Sequence, residues 1–246
     1  MSTAVAYRFT DEGSDKFWRI EYSGTAFVLN YGKAGTVGRY QIKEFGSEAE
    51  CEKEAKKLIA SKQKKGYQPY TEFDPDKHYY LDDEEVGLHP LTSHPKFRKH
   101  FSDSLYYDCV EEEAPFGSDE GSDTLAYVSE EIRKSKAFDF AAFPKKLTEI
   151  YWGMKYIPAV DISREAVEKL IKTDEMDMTQ SDMVTYAVAF AQIKITGRVD
   201  AGLKASALNA MRRMEITAEI MGWNTTGKPS EVMSVMISDL ERFPAG

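Results

Sequence analysis

Three glycines spaced three apart, Gly32, Gly35 and Gly38, lie between Tyr31 and Arg39, with Lys33 beside the first of them. Glycine lacks a Cβ, so such a stretch tolerates positive φ and lets a ligand approach the main chain closely. Lys33 and Arg39 add positive charge and Tyr31 adds a flat ring for stacking, a combination suited to a nucleic-acid end. The same spacing also serves a long hairpin turn in which the glycines answer only to backbone geometry. Directly after the turn, Arg39, Gln41 and Lys43 alternate with Tyr40 and Ile42. Period-two geometry puts the three polar groups on one strand face, either as a phosphate-facing row or as the solvated side of an antiparallel sheet.

A second set of chemically able residues lies further on. The four histidines, His78, His89, His94 and His100, precede the stretch Pro115-Phe116-Gly117-Ser118-Asp119-Glu120-Gly121-Ser122-Asp123-Thr124. Imidazole and carboxylate suit a divalent transition ion, so His94 or His89 with Asp108, Asp119 and Asp123 form a candidate metal set. The spacing matches neither a helical His pair, an EF-hand ladder nor a cysteine pair, which makes it a weak candidate. The plainer reading is a helix entry, with Gly117 and Gly121 in tight turns, Asp119 and Asp123 accepting from exposed N–H groups, and Phe116 anchoring the loop. A nucleophile elbow, a P-loop and a dinucleotide fingerprint are all missing from the chain.

The elements that must position these residues read as follows. Alternating patterns predict strands near Ala4–Phe9, Phe17–Tyr22, Ala26–Tyr31 and Arg39–Phe45, a four-stranded antiparallel meander. Ser47-Glu48-Ala49-Glu50 is a capping box that opens a helix to about Lys65, with Gly66 as its stop. Cys51, Ala55, Leu58 and Ile59 form the stripe that packs on the sheet. The late lysines Lys56, Lys57, Lys62, Lys64 and Lys65 match the helix dipole, a reading preferred here to DNA contact. From Pro69 to Pro95 the chain is irregular, acidic and proline-punctuated, and residues 74–95 are expected to link two domains. Helices are expected at Thr124–Lys136, Pro144–Met154, Ser163–Lys172, Ser181–Thr196, Asp200–Met221 and Ser230–Arg242. The alanine-rich pair among them implies close helix packing, with Met183, Met211, Met214, Met221 and Met236 as core filler.

With 246 residues there is chain enough for one or two domains. The formal net charge of −9 argues against a surface that binds nucleic acid throughout. It is unevenly placed: residues 1–73 carry twelve Lys and Arg against ten Asp and Glu, whereas residues 74–131 carry four against sixteen. A phosphate-binding site therefore belongs to the first segment. Cys51 and Cys109 are too few for a disulfide framework and read as free thiols of a reducing compartment. The N-terminus lacks the pattern of a signal peptide and no run is long enough to span a bilayer, so a cytoplasmic protein without a membrane partner is expected.

The segment from about Tyr7 to Tyr67 resembles the WGR domain of poly(ADP-ribose) polymerases and many bacterial proteins. Lys16-Phe17-Trp18, the three glycines and the following helix fall in register with the family pattern. Tyr31 and Lys33 stand where that pattern has its signature Trp and Arg, and Arg39 where it often has Gln. Tyrosine offers less stacking area than tryptophan, and lysine is a point charge where arginine is a fork. The resemblance implies an end-binding element, its aromatic against the terminal sugar and its basic groups on phosphate, and implies it for Tyr31, Lys33 and Arg39 alone. Polymerase activity does not follow, because the β-rich catalytic domain has no counterpart in the helical remainder. Within the family the chain most resembles small bacterial two-part proteins of the YfeS-like group, of unknown function. Residues 115–123 are similar to a Pro-Phe-x-Asn-Asp-x-x-x-Asp signature of small helical bacterial domains without assigned activity, with Ser118 in place of the Asn.

These readings combine into an α+β chain: a WGR-like sheet domain with one packed helix over residues 1–73, an acidic linker over 74–95, and an all-α domain over 96–246. The expected function is non-catalytic binding of DNA ends or nicks without a cofactor, through Tyr31, Gly32, Lys33, Gly35, Gly38, Arg39, Gln41 and Lys43, with the helical domain engaging a protein partner or setting specificity. One alternative is a metal-dependent enzyme in the helical domain with the sheet as a protein-docking platform. Another is an interaction protein whose Tyr31 and Lys33 mark a site that has lost its affinity.

Overall fold

Strands β1 (Thr3–Asp11), β2 (Ser14–Ser23), β3 (Ala26–Lys33) and β4 (Arg39–Glu44) form the expected antiparallel meander in a computed structural model that describes residues 2–135, 137–223 and 230–246. Helix α1 (Glu48–Lys64) starts at Ser47, whose side chain accepts from the Glu50 N–H, as the capping box predicts. A fifth strand, β5 (Gln68–Pro69), pairs with Tyr7 and Arg8, giving the order β4-β3-β2-β1-β5. Two residues, one of them proline, are too few to show an alternation in the sequence. The register aligns Tyr7 with Trp18, Trp18 with Tyr31, and Tyr31 with Arg39. On this face Tyr7, Trp18, Ile20 and Phe27 are buried with Cys51 and Ala55 of α1. Cys51 is a free thiol in that core, and burial first, then Glu48, pushes its pKa up.

The other face of the sheet is covered as well. Phe17, Arg19, Glu21, Asn30, Tyr40 and Ile42 are all buried, whereas Arg39, Gln41 and Lys43, expected on a phosphate-facing or solvated side, are exposed on the face that also carries α1. The covering comes from the stretch between Phe73 and His94. The His78 ring meets Phe17 edge-on at 5.8 Å, and the Arg19 guanidinium lies 5.4 Å from the Phe73 ring and 5.2 Å from that of Tyr80. The Tyr40 hydroxyl donates to the Tyr79 carbonyl at 2.7 Å, and the Ile42 N–H of edge strand β4 donates to the buried Asp83 carboxylate at 2.6 Å. Arg19 and Glu21 form an ion pair beneath this cover. The chain divides into two compact units, Met1–Pro95 and Lys96–Gly246, so residues 74–95 lie within the sheet unit. Their average acidity conceals the aromatic and histidine rings that turn inward between the carboxylates.

In the second unit the helices are α2 (Pro95–His100), α3 (Asp119–Lys134), α4 (Phe143–Lys146), α5 (Arg164–Thr196), α6 (Ala201–Met221) and α7 (Glu231–Arg242). Helix α3 begins five residues before the expected Thr124, because Ser118 rather than Asp119 or Asp123 accepts from the Gly121 N–H at 3.0 Å. The expected end at Lys136 lies outside the described residues. Beyond α4 the chain winds one π turn over Leu147–Tyr151. The two helices expected at residues 163–172 and 181–196 meet within α5 at a kink at Asp174, where φ is −146°.

Helices α5 and α6 pack against each other, and Ala187, Ala189, Ala191, Ala207 and Ala210 are all buried. Met211 and Met236 fill the core as expected, whereas Met221 is 38% exposed. Between these helices Arg213 grips Asp182, with Nε to Oδ2 at 2.9 Å and Nη2 to Oδ1 at 2.7 Å. The same guanidinium donates to the carbonyls of Ile157 and Pro158, tying an irregular stretch to the bundle.

Candidate nucleic-acid interface

The β3–β4 turn is held from both strands. Ala34 N–H donates to the Asp15 carbonyl at 2.9 Å, and Thr36 closes on the Lys33 carbonyl through both its N–H and its hydroxyl. Buried Asn30 donates its amide nitrogen to the carbonyls of Val37 (3.0 Å) and Arg39 (3.1 Å), so its oxygen is left to accept from His78 Nε2 at 2.8 Å. The glycines have reasons inside the fold. Gly38 has φ of +76°, and a Cβ there would lie 2.6 Å from Phe17 Cζ and 2.7 Å from the Tyr31 carbonyl oxygen. Gly32 approaches Gly38 so closely that a Cβ would stop 2.9 Å from its Cα, and Gly35 sits exposed at the tip. The spacing read as an approach path for a ligand thus already satisfies the turn itself.

Gly38→Ala is accordingly expected to destabilise the sheet unit by roughly 2–3 kcal/mol, from left-handed strain and the collision with Phe17 together. A urea midpoint unchanged from that of the parent chain would contradict this account of the turn.

Around this turn the side chains fall into two groups. Arg39, Gln41 and Lys43 are exposed along edge strand β4, alternating with buried Tyr40 and Ile42, and they share the sheet face of Tyr31. Lys43 Nζ lies 5.1 Å from the Phe45 ring. Among the described residues neither Arg39 nor Lys43 has an acidic partner. Tyr31, Gly32 and Lys33 instead line a cavity of about 480 Å³ at one end of the sheet, together with Ser14, Lys16, Lys62 and Tyr67. Lys33 and Lys16 are cross-strand neighbours, and Lys62 Nζ stands 5.4 Å from the Trp18 ring and 5.0 Å from that of Tyr67. Burial, reinforced by Lys65, holds the Lys62 ammonium pKa below its usual range. The single carboxylate at the rim, Asp15, is gripped by Arg8 through Nε at 2.7 Å and Nη2 at 2.6 Å, which lowers its pKa.

Sequence reasoning did not place Lys16 or Tyr67 here, and it weighed Lys62 as a contact but preferred the helix-dipole reading. Lys62 carried a signal, since it continues the Cys51, Ala55, Leu58 stripe by one turn and so points along the packed face. Lys16 gave none before the register was known.

The weak metal candidates are dispersed in their local surroundings. His94 is buried against the Tyr80 ring, 5.1 Å away, with Nε2 3.3 Å from an Asp76 carboxylate oxygen. Asp108 accepts from the N–H groups of Val110 and Glu111, and Asp119 and Asp123 lie at the start of α3. Among the described residues no three His, Cys, Asp or Glu side chains converge as metal ligands, and no helix is long and apolar enough to cross a membrane.

Residues 3–74 match the WGR domain, known as a nucleic-acid-binding module. The chain is 49% identical over 236 residues to the uncharacterized protein YfeS of Escherichia coli (strain K12), covering 96% of each. It is 46% identical over 59 residues to protein YehF of the same strain, covering 24% of this chain and 22% of that one. A crystal structure of a Bacteroides fragilis protein is 28% identical and covers 51% of this chain and 40% of its own, with a TM-score of 0.28, too low to carry an argument.

Proposed function

This chain belongs to the YfeS family of WGR-domain proteins, and from that premise we propose that its sheet unit binds DNA at ends or nicks without chemistry of its own. The observation that carries the reading is the row on β4: Arg39, Gln41 and Lys43 stand exposed beside the glycine turn, and its two cations have no acidic partner among the described residues. Unpaired cations on one face release counterions when they meet phosphate, and the gain is local because charges beyond about 10 Å are screened at ordinary salt. Tyr31 contributes a ring beside that row, and Lys33 a point charge at the end of β3. In this reading the helical unit engages a partner or sets specificity.

Titration of the full chain with short duplexes across a salt series tests the reading. Affinity is expected to fall with a slope of two to four phosphate contacts at about 0.9 each, and open duplexes to bind more tightly than closed circles. Lys33→Ala and Arg39→Ala should each flatten the slope by about one contact, whereas Tyr31→Ala should cost roughly 1–3 kcal/mol with little change in slope. Salt-independent binding, or equal affinity for circles and ends, would overturn it.

A further inference from the structure

Three glycines in seven residues give the β3–β4 turn much conformational freedom to lose on meeting a ligand, unless the fold holds it in place beforehand. The hold comes from behind the sheet, from residues 78–83, which lie beyond the matched residues 3–74. Buried Asn30 reaches the carbonyls of Val37 and Arg39 with its amide nitrogen, and an amide turned the other way would set its oxygen against both. With the nitrogen so committed, the oxygen is the atom that meets His78 Nε2 at 2.8 Å, and the imidazole must carry its proton there. The His78 ring also packs on Phe17, which stands beside Gly32 and Gly38. Two further contacts follow along β4 from the same segment, the Tyr40 hydroxyl on the Tyr79 carbonyl and the Ile42 N–H on Asp83. Tyr40 and Ile42 alternate with Arg39, Gln41 and Lys43, so each contact pins the strand directly behind the exposed row.

We infer that residues 78–83 are a built-in brace of the binding face, with His78 as its positioning residue: the Nε2–H bond to Asn30 fixes the turn and, with Tyr79 and Asp83, sets the line along which Arg39, Gln41 and Lys43 meet phosphate. For its ligand the inference rests on the nucleic-acid reading above; for the brace it rests on the hydrogen bonds of the turn and β4. A bond that holds a loop in its binding form raises affinity without touching the ligand, because less freedom is lost on association. His78 thus acts through Asn30 and the turn, from the covered face of the sheet.

The experiment uses the full chain with a short duplex bearing free ends, and compares His78→Leu with His78→Gln. Both substitutions remove the imidazole ring, but only glutamine returns an N–H to Asn30, so a role in packing alone moves the two together. Affinity is read by titration, and the hold on the turn by hydrogen exchange at the Ala34 and Thr36 amides, both hydrogen-bonded there. His78→Leu is expected to bind about fivefold more weakly and to exchange faster at both amides, and His78→Gln to stay within about twofold of the parent chain. If the parent binds the duplex and the two variants bind alike, the inference falls and the DNA-end reading stands. If the parent does not bind, that reading falls; faster exchange in His78→Leu but not in His78→Gln then upholds the brace, and equal exchange overturns it as well. Should His78→Leu fail to fold, Tyr40→Phe, which deletes one hydroxyl, carries the test: binding about two- to threefold weaker is expected, and an unchanged affinity overturns the inference.

Discussion

Replacing Arg213 by alanine is expected to lower the stability of the helical unit by about 3–5 kcal/mol, the usual cost of stripping one partner from a buried ion pair. Both side chains are 1% exposed, so no water replaces the lost guanidinium. Burial already pushes the Asp182 carboxyl up to about 7, with Arg213 drawing it the other way. Without Arg213 the carboxyl moves further up and folds as the neutral acid. Such a group stabilises the fold below the ordinary carboxylate range and loses that contribution as pH rises through its folded pKa, so the defect should deepen between pH 5 and pH 8. Substituting both positions, Arg213→Met with Asp182→Leu, should recover much of the loss, although the carbonyls of Ile157 and Pro158 would then lack their donor. Urea melts at the two pH values check this. A single variant equally stable at both would show that Asp182 is not the buried charge responsible.

Acid should unfold the sheet unit through His78. Burial, then Arg19 and His94, lower its pKa from the ordinary 6.5 to about 3. The unfolded chain takes up a proton below pH 6.5 that the folded chain refuses until about pH 3, so stability present at neutral pH is lost progressively across that window. The whole shift corresponds to about 5 kcal/mol, a large part of the stability of such a domain. His78→Gln keeps a donor for Asn30 and removes the titration, and it should flatten the acid limb of the stability profile. The unit can be followed through Trp18 once Trp152 and Trp223 are replaced by Phe. Parallel acid profiles for parent and variant would mean that another group governs the transition.

Much of the sheet was legible because its signals are local. The β4 alternation of Arg39, Gln41 and Lys43 with Tyr40 and Ile42 recurs as an exposed and buried alternation, and the Ser47 cap starts α1 where the capping box predicts. Helix ends at Gly197 and Gly222 were equally plain, since both residues adopt the left-handed conformation that stops a helix. The α3 start was misplaced because two aspartates and two serines compete within six residues for one cap, and only the packed backbone chooses Ser118. The break expected between residues 172 and 181 is present as a kink at Asp174, but it is one residue wide, because the other polar residues of that interval still permit a helix.

By itself the sequence determined the strands, the helix caps and stops, the α+β class and the polar row of β4, because period, capping and glycine chemistry act within a few residues. Tertiary structure decided that residues 74–95 cover the far face of the sheet, with His78 on Asn30 and Asp83 on the edge of β4. It also decided that Lys16, Lys33 and Lys62 surround one cavity and that Arg213 meets Asp182. Each of these joins residues distant along the chain or on separate strands. Pair register and helix placement bring them together, and side-chain chemistry carries no record of either until the chain has folded.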